Sequence, residues 1–146
     1  MAVTRARWYL APIADTAAEI QRFADDIEGV AGEFSSFEQQ HGFRIDGVDL
    51  GTCALPEGWR KRLVRVQNTN AAALSGHPQF TGWCVEPEDL CVAKLCAFCE
   101  KDQNFVAALL NARLVEVNTI AARLPTVEKR HLESAKRAFS WIGQWL

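Results

Sequence analysis

The 146-residue chain is 49% hydrophobic and 23% charged, with a formal net charge of -2. That length and balance predict one globular domain over residues 1–146 with a substantial core, and they argue against a broad basic face for nucleic acid. No apolar run approaches the roughly 20 residues of a membrane span, and the first five residues carry no signal-peptide hydrophobic stretch, so the expected compartment is cytoplasmic and no membrane partner is expected.

Residues 5–11 read as a first strand, stopped by Pro12. Thr16-Ala17-Ala18-Glu19 has the form of a capping box, and Ile20, Phe23, Ala24, Ile27 and Val30 then recur at helical spacing as far as about Ala31. Residues 35–40 suggest a short helical turn closed by Gly42. A strand starts at Phe43, with Gly47 as a bulge candidate and residues 48–54 as its extension. Pro56-Glu57-Gly58-Trp59 reads as a turn, residues 63–67 alternate as a strand does, residues 68–77 form a loop of polar and small residues, and residues 80–85 make the last strand.

From there the pattern is helical. Pro87 suits a first helical turn, and Glu88 and Asp89 suit its positive end. Glu100-Lys101-Asp102 reads as a helix junction with Asp102 as the N-cap of the next helix, so that Lys94 and Asp102 approach only if the helix breaks between them. A third helix is expected over 115–124, ended by Pro125. A fourth is expected over 127–145, with Leu132, Ala135, Phe139, Ile142 and Leu146 on its apolar stripe. The fold class expected is α+β: a small mixed sheet with one early helix (about residues 1–86), then a cluster of about four helices (about 87–146).

Five cysteines, three of them in one apolar helix, do not look like a disulfide framework. Cys96 and Cys99 have C-x-x-C spacing and would face one side of a continuous helix. Zinc wants four ligands, which only Cys84 and Cys91 are placed to complete, and burial as small hydrophobes is the preferred reading. Arg60-Lys61-Arg62 is the densest basic run. It reads as a solvated turn, with Arg62 a candidate for a ligand phosphate. Trp59 and Trp83 read as core anchors. The apolar Trp141–Trp145 stretch needs covering, by the chain's own core or by a second copy in a homodimer or another protein partner.

Leu55-Pro56-Glu57-Gly58-Trp59-Arg60-Lys61-Arg62-Leu63-Val64, then Gly82-Trp83-Cys84-Val85-Glu86-Pro87-Glu88-Asp89-Leu90-Cys91-Val92-Ala93-Lys94-Leu95, then Glu100-Lys101-Asp102, resemble a bacterial family of minimal nucleotidyltransferase-like proteins. Those in turn are similar to the toxin half of AbiEii-type abortive-infection systems. The resemblance implies a nucleotidyltransferase-like fold in which Lys94 meets phosphate and Asp102 matches the acidic end of the downstream motif. Active members carry an Asp-x-Asp pair that holds the divalent metal bridging a nucleoside triphosphate. In this chain the corresponding positions are Arg7 and Tyr9, neither of which is a hard-cation ligand, and the preceding glycine-rich segment would fall before Met1.

The resulting expectation is an N-terminally truncated, degenerate nucleotidyltransferase-like protein that acts by binding or association. It has no catalytic residues and no cofactor, and its ligand-binding candidates are Lys94, Asp102, Arg7, Tyr9 and Arg62. The alternative is an active nucleotidyltransferase or toxin–antitoxin component, using divalent metal and a nucleoside triphosphate at a non-standard site or with a partner subunit.

Overall fold

The computed structural model describes residues 6–10, 16–48, 50–66 and 82–146; of residues 6–10 only the backbone is described. The chain forms two compact units, Met1–Cys53 and Ala54–Leu146. The class is α+β, as the sequence predicts. The described strands form two separate pairs, one parallel and one antiparallel.

In the first unit, strand β1 (Ala6–Leu10) runs parallel to β2 (Phe43–Gly47), and helices α1 (Ala17–Ala31) and α2 (Ser36–His41) make the crossover. The start of α1 follows from its capping box. Thr16 Oγ1 accepts from the Glu19 N–H at 3.2 Å and donates to Glu19 Oε2 at 2.8 Å. Helix α2 ends at Gly42, whose left-handed φ of 75° suits a residue without Cβ. Phe37, His41 and Phe43 stack across the α2–β2 corner, with the Phe37 and Phe43 rings 5.2 Å apart edge to face.

Gly47 is not a bulge. It pairs in register with Leu10, and its importance is space: a Cβ there would lie 2.0 Å from the Ala24 carbonyl oxygen of α1. Residues 48–54 do not extend the strand. Pairing with β1 ends at Gly47, and the chain curls into a 3-10 turn over Leu50–Thr52, closed by the Cys53 N–H donating to the Leu50 carbonyl. Asp49 lies outside the described residues.

In the second unit, a 3-10 turn (Trp59–Arg62) leads into β3 (Val64–Val66), which pairs antiparallel with β4 (Gly82–Cys84). The loop expected at 68–77 lies outside the described residues. Trp83 is not a core anchor: it stands 54% exposed on this two-stranded ribbon, opposite Arg65 in register. Four helices follow: α3 (Pro87–Ala97), α4 (Glu100–Asn111), α5 (Val117–Arg123) and α6 (Leu132–Ile142). Their core is built from Val92, Leu95, Val106, Ile120, Leu124 and Ile142, all fully buried.

The last helix is shorter than its sequence pattern. Val127 is held extended by a bridge to Pro56, so residues 127–131 enter through a 3-10 turn at Lys129–His131 before α6 begins. Its buried positions are Ala135, Ala138 and Ile142, while Phe139 and Leu146 remain exposed. Small residues on that stripe let α6 lie against α3. Trp141 and Trp145 are partly covered by their own chain. Their rings lie 4.7 Å apart, both pack against the core, and Trp145 Nε1 donates to Asn111 Oδ1 at 3.4 Å. They therefore give no reason by themselves to expect a second copy.

Glycine substitutions separate close approach from helix propensity. Gly47→Ala should lower unfolding stability by about 1–3 kcal/mol through overpacking. Gly29→Ala, in α1 with nothing within 4 Å of the new Cβ, should raise it by about 0.5–1 kcal/mol. Urea denaturation midpoints of the two variants check both.

Candidate functional site

Helix α3 is apolar along its middle and ionic at both ends. Glu86 is its N-cap and Pro87 opens it. Asp89 falls three and seven residues before the buried Val92 and Cys96, which places it on the buried stripe, and it is fully buried. A lone carboxylate there would cost several kcal/mol of lost hydration, so it must be paired.

The pairing is complete. Arg62 Nε donates to Asp89 Oδ2 at 2.9 Å and Arg62 Nη2 to Asp89 Oδ1 at 3.1 Å, a two-pronged grip. Arg123 Nη1, at the end of α5, donates to Asp89 Oδ1 at 2.8 Å and also to Glu86 Oε2. Arg62 Nη2 further donates to the Glu57 carbonyl at 2.9 Å. Burial alone would raise the Glu86 pKa; the bonds from Arg123 and Glu88 outweigh it and hold the carboxyl below its usual range. Burial likewise works against the Arg123 charge, and its bonds to Glu86 and Asp89 raise it above the ordinary guanidinium value.

At the other end of α3 the chain breaks. Phe98 takes a left-handed φ of 57°, its N–H donates to the Lys94 carbonyl, and α4 starts two residues later. The N-cap of α4 is Cys99, so Asp102 is the third residue of that helix and not its cap. The break brings Lys94 Nζ to 3.0 Å from Asp102 Oδ1. The Lys94 side chain is 32% exposed and that of Asp102 only 7%. The sequence condition is met: the helix breaks and the two residues join.

The same break separates the C-x-x-C pair. Cys96 is buried on α3 and Cys99 is exposed beyond Phe98. Burial pushes the Cys91 thiol up to about 12 and that of Cys96 up to about 11, so both stay neutral and serve as small core residues. Among the described residues no group of three or more His, Cys, Asp and Glu side chains is arranged to hold a metal ion.

Of the candidate residues, Lys94 and Asp102 meet. Arg62 lies instead on Asp89. On a helix, Asp89 and Lys94 are about 7.5 Å apart along the axis and about 140° apart around it, so the two ion clusters do not converge. Arg7 and Tyr9 lie on β1 in the first unit, opposite Arg44 and Asp46 in register, and only their backbone is described. Asp46 is 5% exposed, with Arg44 Nε 3.6 Å from its Oδ1.

Asp89, Arg123 and Glu86 are the members that sequence reasoning missed. One signal was present, an acidic residue in phase with the apolar stripe of α3. Its partners lie 27 and 34 residues away, beyond any local pattern.

A family model described as a nucleotidyltransferase of unknown function (DUF6036) matches residues 16–141. No curated protein and no solved structure matches the chain.

Asp89→Ala should destabilise the protein by about 3–5 kcal/mol, the cost of leaving buried charge without its partner. Glu133→Ala, which removes an exposed ion pair with Lys136, should change stability by less than about 1 kcal/mol. Urea unfolding of both variants tests whether the ion cluster around Asp89 holds the second unit together.

Proposed function

We propose that this chain, which belongs to the nucleotidyltransferase family whose model it matches, works by binding rather than by transferring nucleotides. The observation that carries this reading is the engagement of Asp89. Nucleotidyl transfer needs carboxylates that hold a divalent cation against phosphate oxygens. Asp89 has no exposed surface, and both of its oxygens accept from arginines. Asp102 is likewise turned to Lys94. These carboxylates serve the fold.

The positions where the resemblance expects metal-binding aspartates hold Arg7 and Tyr9, and the strand register sets Arg7 opposite Arg44. An arginine at the first of these positions carries the wrong charge for a divalent cation. In the second unit, Lys94 is a partly exposed cation placed to meet an anionic ligand, with Asp102 holding its ammonium group from one side. A nucleoside triphosphate is the first ligand to test. Association with another protein, as in the toxin–antitoxin systems that the sequence resembles, is compatible with the same binding role.

One observation favours the alternative of retained transfer. Asp46 sits opposite Tyr9 in register, so a carboxylate stands on the neighbouring strand, beside Arg44. The two readings separate in one assay. The chain is incubated with labelled nucleoside triphosphates and magnesium or manganese, and transfer to RNA, protein and small hydroxyl compounds is measured beside binding. The expected result is binding without transfer, weakened about tenfold by Lys94→Ala, equivalent to about 1.4 kcal/mol. Transfer that is lost in Asp46→Asn would overturn the binding reading.

A further inference from the structure

The turn between α1 and α2 displays an aromatic ring that the fold does not use. Phe34 is 83% exposed and its backbone lies in the left-handed region at φ 64°. A bulky residue is disfavoured there, and glycine or asparagine takes that conformation more readily. The turn is nevertheless secured from several directions. The Phe34 N–H donates to Glu38 Oε2 at 2.9 Å, and Glu38 is itself buried. Ser35 Oγ accepts from the Glu38 N–H at 3.1 Å and donates to the Gly32 carbonyl at 2.7 Å. Gly32 has no room for a side chain, since a Cβ would lie 2.4 Å from the Glu28 carbonyl oxygen. The backbone is thus fixed in a strained state whose visible result is a ring held in solvent. Backbone strain of this kind clusters at active sites, ligand clamps and switch regions.

Helix α1 carries two further exposed apolar side chains. Val30, four residues earlier at the end of α1, is 71% exposed, and Phe23 on the same helix is 38% exposed. Helix α1 is acidic as a whole. Helix α1 carries Glu19, Asp25, Asp26 and Glu28 against Arg22 alone, and Glu33 follows. Residues 1–53 hold nine acidic residues against four arginines, whereas residues 54–146 hold twelve basic against nine acidic. The patch already shows a taste for guanidinium: Arg22 lies over the Phe23 ring, 4.8 Å from its centroid.

We infer that Phe34 and Val30 form the anchor of a protein-docking surface, and that its partner presents an amphipathic helix with apolar knobs and a lysine- or arginine-rich rim. Apolar anchors would supply the affinity and the acidic rim would select the basic partner and speed encounter. This surface belongs to the first unit and stands whether or not the chain transfers nucleotides.

The test uses the full chain and two synthetic helical peptides of one pattern, leucine–lysine and leucine–glutamate, followed by fluorescence polarisation and by amide chemical shifts. The leucine–lysine peptide should bind, more weakly as salt rises, with shifts centred on Val30 and Phe34, and the leucine–glutamate peptide should not. Phe34→Asn should lose at least about tenfold in affinity while its urea midpoint equals or exceeds that of the parent, because asparagine relieves the strain. Four results would overturn the inference. Both peptides bind equally; Phe34→Asn binds as the parent does; Phe34→Asn unfolds at lower urea, which would make the ring structural; or sedimentation shows self-association that Phe34→Asn abolishes, which would make a second copy the occupant.

Discussion

The carboxylate of Asp89 is the constraint on which the second unit depends. It sits on the buried face of α3 with no exposed surface, so its charge must be balanced inside the protein. Arg62 reaches it from the 3-10 turn before β3, and Arg123 reaches it from the end of α5. Two segments far apart in sequence are thereby tied to the first turn of one helix. Hydrophobic packing around Val92, Leu95 and Leu124 gives the unit its core, but such packing tolerates shifts in register. A two-pronged arginine grip does not, and it fixes how the turn, α3 and α5 meet.

The same helix shows how ionic groups set its length. At its far end Phe98 turns left-handed, Gln103 Nε2 donates to the Phe98 carbonyl at 3.3 Å, and Arg137 lies over the Phe98 ring at 4.7 Å. Lys94 and Asp102 then close across the break. Two groups that looked like remnants of a catalytic site therefore also form a joint between helices. Their chemistry is that of a cation held by a nearly buried carboxylate, with its own side chain partly exposed. Asp89 and Asp102 are thus both engaged by cations of the chain itself.

Local chemistry was legible in the sequence, and long-range pairing was not. The Thr16–Glu19 box, the Gly42 stop and the Pro87 start each act within one turn of backbone, so their spacing alone located α1, α2 and α3. The approach of Lys94 to Asp102 was legible as a condition, because eight residues of unbroken helix would hold them about 12 Å apart. The end of β2 at Gly47 could not be read, since it depends on where pairing with β1 stops and on the passage of α1 past Ala24. The exposure of Trp83 was missed because an alternating strand looks the same on a two-stranded ribbon as in a covered sheet. The partners of Asp89 were hidden by sequence distance alone.

The central claim is that Asp89 and Asp102 are occupied by the protein's own cations and do not hold a metal ion. Paramagnetic broadening by manganese, read on the backbone amides of isotopically labelled protein with a nucleoside triphosphate present, addresses it directly. The account predicts no selective broadening of the amides around Asp89 at the start of α3 or around Asp102 in α4. Selective loss of those signals at low manganese, reversed by magnesium, would contradict it.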